Sequence, residues 1–101
     1  MHGFSLRTPE QVRQSLAARA KALRLAKGWK RTTLAERSGV SLASLRRFEE
    51  SGRISLESLL ALAFALNRLD EFDLLLEPPR ASSLAELEAA EARPVRKRGR
   101  I

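Results

Sequence analysis

Leu34-Ala35-Glu36-Arg37-Ser38-Gly39-Val40-Ser41-Leu42-Ala43-Ser44-Leu45-Arg46-Arg47-Phe48-Glu49 is the stretch that decides the fold. It reads as one helix, a tight turn and a second helix. Gly39 supplies a turn conformation that other residues resist. Ser41 carries a hydroxyl suited to capping a helix that starts at Leu42. Ala35 stands where the two helices cross, and its small side chain lets them approach. Val40 and Leu45 fill the space between the helices, and Phe48 continues the inward face. The rest of the second helix projects a polar, basic face: Leu42, Ala43, Ser44, Arg46 and Arg47.

Outward from this stretch the chain reads as helix throughout. Residues 1–8 form a lead-in. Thr8-Pro9-Glu10 is a helix start: a capping hydroxyl, a proline at the first helical position and an acid in the first turn. Val12, Leu16, Ala20, Leu23 and Ala26 or Lys27 recur at three- and four-residue steps, which predicts one long amphipathic helix ended by Gly28. A short helix over about Arg31–Ser38 follows, then the one from Leu42 to about Glu50, broken by Ser51-Gly52. Ser55 caps a fourth helix with Leu56, Leu59, Leu60, Leu62, Ala63 and Leu66. It is apolar nearly all round and is expected to be the most buried element. Asn67 marks its end, a fifth short helix is expected over about Leu69–Leu76, and Pro78-Pro79 stops it. Ser83-Leu84-Ala85-Glu86 is a capping-box pattern, so a further short helix is expected over residues 83–93, ahead of a basic tail. The expected division is a domain over 9–77 and an extension over 78–101.

The charge is segregated along the chain. Residues 1–53 carry twelve Lys or Arg against four Glu, a balance of +8. Residues 54–92 carry two Arg against eight acids, or −6, and residues 93–101 carry five Lys or Arg and no acid. A chain polarised in this way has a cationic half that suits phosphate, which points to a nucleic acid. The basic tail fits contact with a nucleic-acid backbone, docking on an acidic partner, or a solubilising end.

The same inventory excludes other classes. Without cysteine there is no disulfide framework and no thiolate metal site. The one histidine, His2, is an end residue rather than a ligand or base. Asp70 and Asp73 share a helix face but have no cation partner in the pattern. No Gly-rich phosphate loop exists, so neither an enzyme nor a cofactor is expected. No apolar run reaches the roughly 20 residues of a membrane span and no signal peptide is evident, so an intracellular (cytoplasmic) location is expected.

Leu25-Ala-Lys-Gly28-Trp29, Leu34 through Ser41, Leu45, Phe48-Glu49 and Leu59 through Leu66 together resemble the Cro/repressor-type (Xre) helix-turn-helix family. The likeness covers about residues 16–70. It implies an all-α, five-helix, lambda-repressor-like DNA-binding domain whose second motif helix lies in a major groove. It implies base-reading by Leu42, Ala43, Ser44, Arg46 and Arg47. Phosphate contacts are expected from Lys30, Arg31, Thr32, Ser41 and Arg53. Many relatives carry Gln where Arg31 stands and a capping Ser, Thr or Asn before it, so the helix start here is a weaker cap with two cations beside it. Leu42 and Ala43 replace frequent glutamines, which leaves them thymine methyls and leaves polar readout to Arg46 and Arg47. Arg24 and Glu49 match a buried pair that ties the first helix to the third. Trp29 is expected in the core, and Arg19 and Arg37 on a solvated surface.

Within the family, Phe48 through Gly52, Ile54 through Leu59, and Leu69 through Phe72 ahead of Pro78-Pro79 resemble HipB-like antitoxins. That narrower likeness implies a HipA-like kinase toxin as partner, the alternative being a stand-alone regulator. A module this small reads few base pairs, so a homodimer on a double-stranded operator is expected. Its surface is placed on Leu69, Phe72, Leu75 and Leu76, too apolar for a short exposed helix.

Overall fold

The computed structural model describes residues 7–79 and Gly99. The expectations for residues 1–6, for a helix over 83–93 and for the basic tail lie outside the described residues. Five helices and no strand occur among the described residues. This is the all-α, lambda-repressor-like helix-turn-helix architecture.

Helix α1 (Pro9–Ala26) starts where local chemistry places it. Thr8 Oγ1 accepts from the Gln11 N–H at 3.1 Å, and Gln11 Oε1 accepts from the Thr8 N–H at 3.0 Å. That reciprocal capping box satisfies two donors the helix cannot satisfy itself. At the other end Gly28, with φ +73°, donates to the Leu25 carbonyl while the Trp29 N–H reaches the Arg24 carbonyl. The two bonds together make a Schellman ending.

Helix α2 (Arg31–Ser38) begins at Lys30 with no side-chain cap. It ends at Gly39 in the left-handed conformation. Helix α3 (Leu42–Ser51) is capped by Ser41, whose Oγ accepts from the Ser44 N–H. Ser55 caps α4 (Leu56–Ala65) in the same way through the Ser58 N–H. Asn67, at φ +62°, then ends α4, with the Asn67 N–H on the Phe64 carbonyl and the Arg68 N–H on that of Ala63.

The core is one cluster: Ala17, Leu34, Val40, Leu45, Phe48, Leu62 and Leu66. It takes one or two residues from each of α1 to α4, Val40 from the turn between α2 and α3, and Leu66 from the end of α4. Helix α1 packs chiefly on α3, and α2 lies against both α3 and α4. Gly52 sets the distance between α1 and the end of α3. A Cβ on Gly52 would stand 2.8 Å from the Arg13 carbonyl carbon and 2.9 Å from its oxygen. Backbone thus passes against backbone here, and Gly52 also has φ +76°. A side chain would fail on both counts.

Three expectations are corrected. Val12 is exposed, and the inward face of α1 runs through Leu16, Ala17, Ala20, Leu23 and Arg24. The stripe is rotated because a paired arginine takes a core position. Helix α4 is not covered all round: Leu62 and Ala63 are buried, but Leu56 and Phe64 are 67% and 72% exposed. The fifth helix, α5, covers only Asp70–Asp73 rather than Leu69–Leu76. Asp70 and Glu71 suit the start of a helix, but Asp73 at its end opposes the macrodipole, and Leu76 turns to φ +61° before Pro78.

Candidate nucleic-acid interface

Capping by Ser41 fixes where α3 starts, and burial of Leu45 and Phe48 fixes which way it faces. Ala43, Ser44, Arg46 and Arg47 are therefore exposed together, with Leu42 half-buried at the helix start. The Ser41 hydroxyl also donates to Ser44 Oγ at 2.9 Å, so it is held within the first turn.

Beside this face lies an open cleft of about 420 Å³, lined by Ser44 and Arg47 of α3, by Arg53 and Ile54, and by Ser55 and Ser58 at the start of α4. Two arginines and three serines border one space. The loop that carries Arg53 is pinned by Ser51, whose hydroxyl donates to the Arg47 carbonyl and accepts from the Arg53 N–H. The cleft can take a phosphate-sized anion next to the side chains expected to meet bases.

Lys30, Arg31 and Thr32 stand together at the uncapped start of α2, Lys30 and Thr32 exposed and Arg31 half-buried. Arg31 does not stand alone. Its Nε donates to Glu49 Oε1 at 2.9 Å. The same carboxylate takes Arg24 Nε on Oε2 at 2.8 Å and Arg24 Nη2 on Oε1 at 3.0 Å. Arg24 Nη1 completes its bonding on the Trp29 carbonyl at 2.9 Å. The Glu49 side chain is 1% exposed. Burial alone would push its carboxyl up, but the hydrogen bonds and charges of Arg24 and then Arg31 outweigh burial and hold it below its ordinary range. Helices α1, α2 and α3 are thereby joined at one carboxylate.

Trp29 is half-buried against the core. Arg37 lies over its ring at 4.6 Å from the centroid and Lys27 at 5.2 Å, so Arg37 is a stacked residue rather than merely a solvated one. Arg19 leans on Ser15 along the surface of α1.

The residues expected at a dimer surface divide. Leu69, Leu75 and Leu76 are exposed, Leu76 fully. Phe72 turns inward and lines a small apolar groove with Leu16, Ala20, Leu23, Leu59, Leu62 and Leu66. Leu56 and Leu74 are exposed as well and were missed, and Phe64, expected in the core or at a dimer contact, is exposed. The signal existed: a helix apolar on every side cannot be covered on every side in so short a chain. The tie from Arg31 to Glu49 was also missed, and eighteen residues of separation give no local sign of it. Ser55 and Ser58 were legible only as helix-start residues, because their place in the cleft depends on how α4 meets α3.

A helix pair joined by a glycine turn, its second helix held outward with arginines exposed, defines a DNA-binding domain of the helix-turn-helix class. A family model described as Helix-turn-helix matches residues 21–72, just over half of the chain. The chain belongs to that Cro/C1-type (Xre) family of DNA-binding transcriptional regulators. No curated protein matches it. No helix among the described residues is long and apolar enough to cross a membrane.

Proposed function

We propose that the protein is a sequence-specific repressor that binds a double-stranded operator as a homodimer. The observation that carries this is the cleft between α3 and α4. Arg47 belongs both to the exposed face of α3 and to a space shared with Arg53, Ser55 and Ser58. A duplex lying along α3 would meet Ala43, Ser44, Arg46 and Arg47 with its base edges and the cleft with its backbone. Leu42 and Ala43 offer contact only to methyl groups, so guanine readout falls to the two arginines. Lys30, Arg31 and Thr32 would hold a second stretch of backbone at the start of α2. Dimerisation through the exposed leucines around α5 and through Phe64 of α4 would set two copies of α3 about one helical turn of DNA apart.

Selection of an operator from random duplexes, followed by titration across salt, tests this reading. Arg47→Ala is expected to lose about 1–3 kcal/mol of discrimination at a defined base pair. Lys30→Ala is expected to weaken all sequences alike and to lower the salt slope by about 1. Normal operator binding by both variants would overturn the orientation.

The likeness of Phe48–Gly52 and Ile54–Leu59 to HipB-like antitoxins supports a finer reading: an autoregulated operon whose other product is a HipA-like kinase. Exposed Leu56 offers apolar surface to such a partner. Co-expression with the product of the adjacent gene, and assay of that product for kinase activity, tests it. Failure to bind that product leaves a stand-alone regulator.

A further inference from the structure

The carboxylate of Glu49 serves two arginines that differ in what they have left to give. Arg24 is 5% exposed and spends Nε, Nη1 and Nη2 inside the protein. Arg31 spends Nε alone, and its side chain is 35% exposed. Among the described residues its two terminal nitrogens have no partner. One buried negative charge faces two positive ones, so the cluster keeps a net charge of +1. The surplus resides on Arg31, at the start of a helix whose cap residue, Lys30, makes no side-chain bond and whose first turn holds no acid. Helix N–H groups, the macrodipole and a guanidinium fork therefore address the same side of the protein.

We infer that Glu49 is a positioning residue for DNA: it tethers Arg31 by Nε so that Nη1 and Nη2 are presented, already ordered, to one backbone phosphate. The inference rests on the reading that the start of α2 faces DNA. A free arginine loses side-chain freedom when it clamps a phosphate, whereas a tethered one has lost much of it on folding. The tether also selects arginine over lysine. An ammonium cannot give one nitrogen to Glu49 and two others, in plane, to phosphate oxygens. The opposite arrangement, in which Glu49 withholds Arg31 from DNA, predicts tighter binding when Glu49 is replaced and little effect when Arg31 is.

The test is a double-mutant cycle on the full chain, read by anisotropy of a labelled mixed-sequence duplex titrated at several salt concentrations. Circular dichroism establishes that each variant is folded. Arg31→Ala is expected to weaken binding about tenfold and lower the salt slope by about 1. Arg31→Lys is expected to keep the slope but lose affinity. Glu49→Gln is expected to weaken the parent protein and to leave the Arg31→Ala protein unchanged. An equal loss in both backgrounds would make Glu49 merely structural, and tighter binding by Glu49→Gln would make it a restraint. Either result overturns the inference. Should Glu49→Gln fail to fold, Arg31→Lys decides alone, since affinity equal to the parent would show that no tether is needed. Arg47→Ala and Arg53→Ala separate the two levels. If they weaken binding while Arg31 and Glu49 show no coupling, only the tether is wrong; if they too have no effect, the proposed DNA face is wrong.

Discussion

The half of the domain built from α2, α3 and their turns and the half built from α4 and α5 use their apolar residues in opposite ways. The first is the more polar sequence, yet it supplies Leu34, Val40, Leu45 and Phe48, all buried, and seals a carboxylate among them. The second is the most apolar part of the chain, yet Leu56, Phe64, Leu74, Leu75 and Leu76 stand open. Hydrophobicity states how much surface needs covering; the spacing of apolar residues and the ends of helices decide whether one chain can cover it. Sharp glycine endings bring α2 and α3 back on each other. Nothing after Asn67 folds back over the outer side of α4 among the described residues.

The largest test of this contrast lies in the sealed half. Glu49→Gln leaves Arg24 buried without its counter-charge and is expected to cost about 3–5 kcal/mol at pH 7. Chemical denaturation measures it, and pH supplies a check of sign. The Glu49 carboxyl is lowered in the folded protein. Its contribution is therefore complete above the ordinary Glu value of about 4.3 and drains away as pH falls through the lower folded value. The gap between the parent and Glu49→Gln is expected to be constant from pH 7 to about pH 5 and to narrow below that. A gap that widens in acid contradicts the arrangement.

Gly52→Ala comes next. The new methyl meets the Arg13 backbone, which cannot swing aside as a flexible side chain would, and it sits at a left-handed φ. Conformational strain and overpacking together are expected to cost about 2–4 kcal/mol, read as a lowered denaturation midpoint. Gly39→Ala is the control, with a similar φ but nothing within 4 Å of the added carbon. Equal losses at the two glycines would mean that the approach of α1 does not matter.

The smallest stability effect is expected in the open half. Phe64→Ala removes an exposed ring and should change monomer stability by no more than about 0.5 kcal/mol. It should nevertheless weaken self-association, as followed by sedimentation. A large loss of monomer stability would show that Phe64 is covered within its own chain.

How much of this was legible in the sequence follows the same division. Thr8, Gly28, Gly39, Ser41 and Ser55 act on backbone groups within a few residues of themselves, and their roles could be read directly. The interior of α2 and α3 was legible because Leu34, Val40, Leu45 and Phe48 keep helical spacing around one turn. The face of α1 was misjudged at Val12 because periodicity counts apolar residues, and Arg24 occupies an inward position by virtue of Glu49, twenty-five residues away. The length of α5 was overestimated because leucines suggest a helix whatever the backbone does at Leu76. Within the site, the residue types of α3 were readable, but the cleft was not. It exists only because α4 starts where α3 presents Arg47.

Trp29 carries one more consequence. It is the sole tryptophan, and the chain has no tyrosine. Near-ultraviolet emission therefore comes from one indole wedged at the α1–α2 corner, with Arg37 at 4.6 Å over its ring and its own carbonyl held by Arg24. The protein carries a built-in optical gauge, one residue from Lys30 and two from Arg31. Anything that draws Arg37 or Lys27 from the ring alters the field at the indole, so a ligand that recruits them can be followed by colour and intensity without attaching a dye.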